Sequence, residues 1–295
     1  MTQQRRQRVE RPSATRDVRW LGPALMLLGG TSMYLGAAIA IELFDVVSPA
    51  GVACLRIAGA GLVLLIVVRP GRAAWQWSRL RLAGMFGLMT AAMNIAFYLA
   101  LDHLPLGTTV ALEFLGPIAV AAAGSRTRRD VAALLAAVIG VALIVDVHWA
   151  GSVLGVVLAL VAAACWAGYI VLGRRVAVRG AGIEDLTTGF VVAAIVTSPL
   201  ALTVGPAVRA GENVWWLILL ALGLGVLSTA VPYALDQVIL RSVGPARFAV
   251  LLALLPVTAA VVGFIALRQV PALTELLGIL AVAGAIGVQA GGRSR

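Results

Sequence analysis

The sequence predicts an all-α polytopic membrane protein: ten transmembrane helices forming two inverted five-helix repeats, with both termini in the cytoplasm. Three observations lead there. Hydrophobic residues make up 61% of the 295 residues and charged ones 12%, with a mean hydropathy of +1.00; a soluble domain carries about 25% charged residues. Apolar runs of about 20 residues recur along the chain, each long enough to cross a bilayer core of about 30 Å. The arginines, finally, alternate between consecutive loops in a one-sided way.

Taken in order, residues 1–19 are polar and Arg-rich, with no small-residue cleavage site after the first apolar run, and read as an uncleaved cytoplasmic tail. Ten spans follow at 20–41, 49–68, 81–101, 106–124, 131–147, 153–173, 185–204, 214–235, 246–267 and 272–290. The first repeat occupies 20–147 and the second 153–290. Span one carries Tyr34, span two Cys54 and Arg56, span three Asn94, and span four Glu113 and Pro117. Span six carries Cys165, Trp166 and Tyr169, span eight Tyr233 and Asp236, and span nine Pro256. In span ten, Ala283, Gly287 and Gly291 form a small-residue stripe suited to close helix approach. Trp20, Trp75, Trp77, Trp149, Trp215 and Trp216 fall near span ends, as an interfacial aromatic belt does. Both cysteines lie within apolar spans and are expected to be packed free thiols.

Orientation follows from the basic residues, all 23 of which are arginine. With the N-terminus inside, twenty fall in inside segments and two, Arg209 and Arg268, outside; the remaining one, Arg56, is within span two. That bias places both termini in the cytoplasm. The net charge of +10 is therefore a signal of topology rather than of nucleic-acid binding.

An offset of 139 residues superposes 101–124 on 240–263, matching Leu101, Leu112, Pro117 and Gly124 with Leu240, Leu251, Pro256 and Gly263. Five spans per half is an odd number, so the halves have opposite orientations, the plan of secondary transporters with a site near the midplane. Pro117 and Pro256 each remove a helix hydrogen bond, and as a symmetric pair they suggest matched kinks, one gating each side.

An embedded carboxylate costs roughly 2.5–3.5 kcal/mol on insertion scales, so Glu113 demands an explanation. It lies about 10 Å in from the outer end of span four, at 1.5 Å per residue. Arg56, Asn94 and Tyr34 lie at nearly the same depth on three other spans. If these helices face one cavity, they form a polar ring in which Arg56 is the partner of Glu113. The pair is open to two interpretations, an ion pair that only orders the bundle or a bipolar substrate site. Trp166 and Tyr169 mirror Tyr34 from the second half, where Tyr233 stands opposite Asn94 and Leu252 opposite Glu113. Asp236 is either interfacial or a proton or gate residue.

No Walker-type phosphate loop, His/Glu metal motif, cysteine pair or nucleophile elbow occurs. No enzyme, cofactor or metal is expected.

The stretches MNIAFYLA (93–100), LPLGTTVALEFLGPIAVA (104–121), GVACLR (51–56), ACWAGYI (164–170) and LSTAVPYALD (227–236) resemble the EamA-type drug/metabolite transporters, and more narrowly their threonine/homoserine exporter branch. The likeness covers nearly the whole chain past residue 20. It implies two EamA repeats and proton-driven export of small amino acids across a bacterial inner membrane. By motif match it points to Glu113, Asn94, Arg56 and Tyr98 in the first repeat and Trp166 and Tyr233 in the second. The expectation is a proton antiporter in which a substrate ammonium meets Glu113 and its carboxylate meets Arg56, with Asn94, Tyr34 and Tyr98 adding hydrogen bonds and Glu113 or Asp236 carrying the proton. The alternatives are a transporter of another metabolite, such as a nucleobase or lipophilic cation, and a membrane enzyme or assembly factor. Expected partners are the amino acid, protons and the bilayer; monomer and dimer both remain open.

Overall fold

The computed structural model describes residues 18–124, 152–178, 182–232 and 251–291, together with positions 128, 131–132, 135–140, 143, 235 and 238–239. Among the described residues the regular structure is entirely helical. The helices are α1 (Val18–Glu42), α2 (Pro49–Val68), α3 (Trp77–Leu101), α4 (Leu106–Glu113), α5 (Leu115–Gly124), α6 (Val153–Val178), α7 (Gly182–Thr197), α8 (Gly205–Arg209), α9 (Val214–Gly225), α10 (Leu254–Leu267) and α11 (Leu273–Gly291). Short 3₁₀ segments occupy Arg72–Trp75 and Ser198–Thr203, and a π-helical turn, Val226–Ala230, extends α9.

Five helical stretches are long and apolar enough to cross a membrane: Leu21–Glu42, Pro49–Val68, Trp77–Leu101, Val153–Leu172 and Ile183–Thr203. Shorter apolar helices lie at Leu106–Val120, Val214–Ala230, Leu254–Leu267 and Leu273–Gly287. The chain is thus an all-helical polytopic membrane protein. Part of expected span five and the start of span nine lie outside the described residues.

Local chemistry sets the helix ends. The Ser48 hydroxyl accepts from the Gly51 N–H at 3.1 Å, and Pro49 occupies the first turn, where its missing N–H costs nothing. At the other end of α2, Arg69 adopts the left-handed conformation (φ 49°) and its N–H returns to the Leu65 carbonyl. Pro70 then prevents continuation.

The stretch 106–124 is not one helix. α4 stops at Glu113, Phe114 forms a turn, and α5 resumes at Leu115. Pro117 has no N–H to offer the Glu113 carbonyl four residues back, so the interruption falls where that bond is missing. The second half repeats the feature: residues 252–253 form a turn before α10, and Pro256 leaves the Leu252 carbonyl without its helical donor.

α3 packs on both α6 and α7, α2 on α7 and α9, and α1 on α10. The two halves of the chain are therefore interleaved. Where α2 meets α9, a Cβ on Gly59 would overlap the Ala221 backbone carbonyl; where α3 meets α7, one on Gly87 would overlap the Gly189 carbonyl. These crossings exist because the side chain is absent. In the small-residue stripe of span ten, among the described residues nothing lies within 4 Å of a Cβ placed on Gly287.

At one end of the bundle Arg79, at the start of α3, clasps the start of α7. Its Nε and one terminal nitrogen donate to Asp185 Oδ1 at 2.9 and 2.6 Å, and the same terminal nitrogen reaches Glu184 Oε2 at 3.2 Å. Asp185 is buried whereas the Glu184 side chain is 37% exposed. Exposed ion pairs contribute about 0–1 kcal/mol, and buried partners left unpaired cost about 1–3 kcal/mol. Asp185→Ala is therefore expected to lower the thermal midpoint of the purified protein measurably, while Glu184→Ala leaves it nearly unchanged; differential scanning fluorimetry in detergent separates the two.

Candidate functional site

Between the halves lies a cavity of about 370 Å³, within the size range of small-molecule sites. Six of the expected site residues line it: Tyr34, Arg56, Asn94, Glu113, Trp166 and Tyr169. Pro117 lines it too, as do Leu252 and Leu255, which bracket the second interruption and lie beside Pro256. The wall is mostly apolar, built by Met33, Met93, Phe97, Ile170 and Phe190 among others.

Arg56 is held by three different contacts. One terminal nitrogen donates to Asn94 Oδ1 at 2.5 Å, and the other donates to the Ser228 backbone carbonyl at 2.9 Å. The guanidinium also sits over the Tyr98 ring, 5.5 Å from its centre, an arrangement that stabilises a desolvated cation. Asn94 is itself oriented, because its amide nitrogen donates to the Thr90 carbonyl at 2.7 Å. The fourth, third and second spans thus present their polar groups to one space, while the Ser228 carbonyl comes from the π-helical turn of the other half.

Two expectations change. Arg56 does not pair with Glu113: among the described residues the ion pairs within 4 Å are those of Arg79. Glu113, buried at the end of α4 and facing the cavity, has no hydrogen-bond partner among the described residues. The two opposite charges face one space without a direct bond between them: Asn94 and the Ser228 carbonyl hold the two terminal nitrogens of Arg56, while its buried Nε has no hydrogen-bond partner among the described residues. Tyr98 was expected to contact substrate, but it is fully buried and does not line the cavity. It packs edge-on against Phe44 and Phe97 and supports Arg56 from behind. Tyr233 and Asp236 lie outside the described residues.

Trp166 is positioned by Phe114, the residue at the α4–α5 turn, with ring centres 4.6 Å apart. Tyr169 packs on Phe86 at 4.6 Å. Cys54 is buried with its thiol directed at the Thr197 carbonyl (3.4 Å), and both cysteines are free.

Comparison with known proteins adds the ancestry. The profile of the EamA-like transporter family matches residues 153–289. The chain is 35% identical over 280 residues to the threonine/homoserine exporter RhtA of Salmonella typhimurium (strain LT2), covering 93% of each. The chain belongs to the EamA-like transporter family. Within it, the RhtA branch is the one it resembles, since the exporter of that name from Escherichia coli K12 is also 34% identical over 271 residues, 90% of each chain. A solved crystal structure shares the fold with TM-score 0.54 and 21% identity, over 92% of this chain and 96% of that one. As an EamA-like transporter the protein is not an enzyme.

Sequence reasoning missed three hydroxyl residues that line this EamA-like cavity: Thr90, Ser228 and Thr229. A usable signal existed. Thr90 and Thr229 are related by the same 139-residue offset as the two prolines, and Ser228–Thr229 interrupts an otherwise apolar span.

Proposed function

We propose that the protein exports small neutral amino acids of the threonine or homoserine type across the inner membrane of a bacterium, in exchange for protons. The observation that carries this reading is the presence of an unpaired carboxylate, Glu113, and a fixed guanidinium, Arg56, on one cavity. An α-amino acid is a dipolar ion whose ammonium fits the first and whose carboxylate fits the second. A lipophilic cation would gain nothing from Arg56, and a nucleobase has no full charge for either group.

Because no cation is bonded to Glu113, its carboxylate is available to a proton or to an ammonium, and the two compete for one site. That competition couples the exchange. The matched interruptions at Phe114 and at residues 252–253, each beside a proline, support two inverted repeats bending about a shared midplane site. The arginine bias supports an orientation with both termini in the cytoplasm, which puts the Arg79 clasp on the cytoplasmic side.

Purified protein in proteoliposomes is expected to catalyse counterflow of labelled threonine, stimulated by an imposed pH gradient and competed by homoserine. Absence of threonine counterflow, with uptake of a nucleobase or organic cation instead, would assign the protein to another solute.

A further inference from the structure

The described residues contain eight buried threonines: 90, 108, 109, 187, 188, 197, 229 and 258. Seven of them commit their hydroxyl. Thr90, Thr109, Thr187, Thr197 and Thr258 donate to the backbone carbonyl four residues back, at 2.7–3.0 Å. Thr188 donates to the Asp185 carbonyl and Thr108 to the Glu275 carboxylate. Thr229 alone has no partner among the described residues, although it is only 3% exposed and lines the cavity.

The cause is local backbone. A threonine in a regular helix back-bonds to the i−4 carbonyl as a matter of course. Thr90, the counterpart of Thr229 at the 139-residue offset, does so from α3. Thr229 sits in the π-helical turn Val226–Ala230, whose wider winding changes the relation between the side chain and the preceding turn. With no protein acceptor among the described residues, this hydroxyl on the cavity wall is left to bond whatever enters. π-turns of this kind occur frequently at functional sites.

Its neighbours specify what arrives. Residue 228, directly before it, supplies the carbonyl that anchors Arg56, so the free hydroxyl stands beside the proposed carboxylate end of the site. Elsewhere on the wall, Ser228 Oγ donates to the Met33 carbonyl, Thr90 to Phe86, and Asn94 is used twice. We infer that Thr229 is the specificity residue that reads a side-chain hydroxyl on the substrate, selecting hydroxy-amino acids over apolar isosteres of the same shape. The inference rests on the amino-acid reading of the site and deepens it. Burying a hydroxyl group against a purely apolar wall discriminates poorly against the isostere that lacks it, whereas a site that must hydrogen-bond the group rejects that isostere strongly.

The test compares threonine with valine, its isostere without the hydroxyl, as competitors of labelled-threonine counterflow in proteoliposomes. Wild-type protein is expected to prefer threonine by about tenfold or more, the value of one buried hydrogen bond. Thr229→Val should bring that preference close to one by losing threonine affinity and gaining valine affinity. Thr229→Ser, which keeps the hydroxyl, should retain most of it. A wild type without preference, an unchanged preference in Thr229→Val, or equal loss in both variants would overturn the assignment. Failure of the amino-acid reading is a separate result, namely no threonine counterflow by the wild type at all.

Discussion

Glu113→Gln is expected to reduce threonine counterflow by on the order of 100-fold or more while leaving membrane insertion and thermal midpoint close to wild type. The substitution is isosteric, so the packing around the end of α4 survives. What it removes is the full negative charge that faces the cavity with no protein cation bonded to it. Removing one member of a desolvated charge pair costs about 2–5 kcal/mol, which is roughly 30- to several-thousand-fold in affinity. In the proposed mechanism the substrate ammonium is the other member, so the loss falls on transport rather than on folding. Efflux at the wild-type rate in this variant would remove Glu113 from the mechanism, and with it the dipolar-substrate reading.

The second large effect concerns packing. Gly59→Ala is expected to destabilise the protein by about 1–3 kcal/mol, seen as a fall of roughly 5 °C in thermal midpoint, and to impair transport as well. The added Cβ meets the carbonyl and peptide of Ala221–Leu222, backbone atoms that no rotamer change can move aside. α2 and α9 must then separate. That displacement reaches the site because α2 carries Arg56 and α9 continues into the turn that supplies the Ser228 carbonyl. Gly223→Ala, on α9, is the control: among the described residues nothing lies within 4 Å of its Cβ position. It should be neutral or slightly stabilising, since alanine favours helix over glycine by about 1 kcal/mol. Equal damage from both changes would contradict the crossing described.

Much of the fold was legible because apolar length and punctuation agree. Span two was expected at 49–68 and α2 runs Pro49–Val68, where proline opens the helix and an Arg-Pro pair closes it. Pro117 and Pro256 each announced an interruption, and each stands three residues beyond the observed turn. The site was legible in part for a related reason: in an apolar span a polar side chain needs a purpose, so Tyr34, Arg56, Asn94, Glu113, Trp166 and Tyr169 stood out.

What escaped notice has physical causes too. Depth along a helix does not give azimuth, so Tyr98 shared a motif with cavity residues while its ring pointed behind Arg56. Matched depth likewise suggested an Arg56–Glu113 bond, whereas the carbonyl that takes that role belongs to residue 228, and backbone acceptors leave no mark in a sequence. The π-helical turn has no compositional signature, which is why Thr229 did not stand out within its apolar span. Asp185 stood at the expected start of span seven beside Glu184, and its burial follows only from how α3 and α7 cross.

The guanidinium of residue 56 also works as a rivet. It is rooted in one half of the chain and fastened to main-chain oxygen in the other, so the halves cannot slide past each other at that level without shedding a bond. In the proposed mechanism the substrate carboxylate brings two oxygen acceptors to the same nitrogens. A vacant carrier is on this account stiffer at its waist than a loaded one, and cargo is what frees the joint.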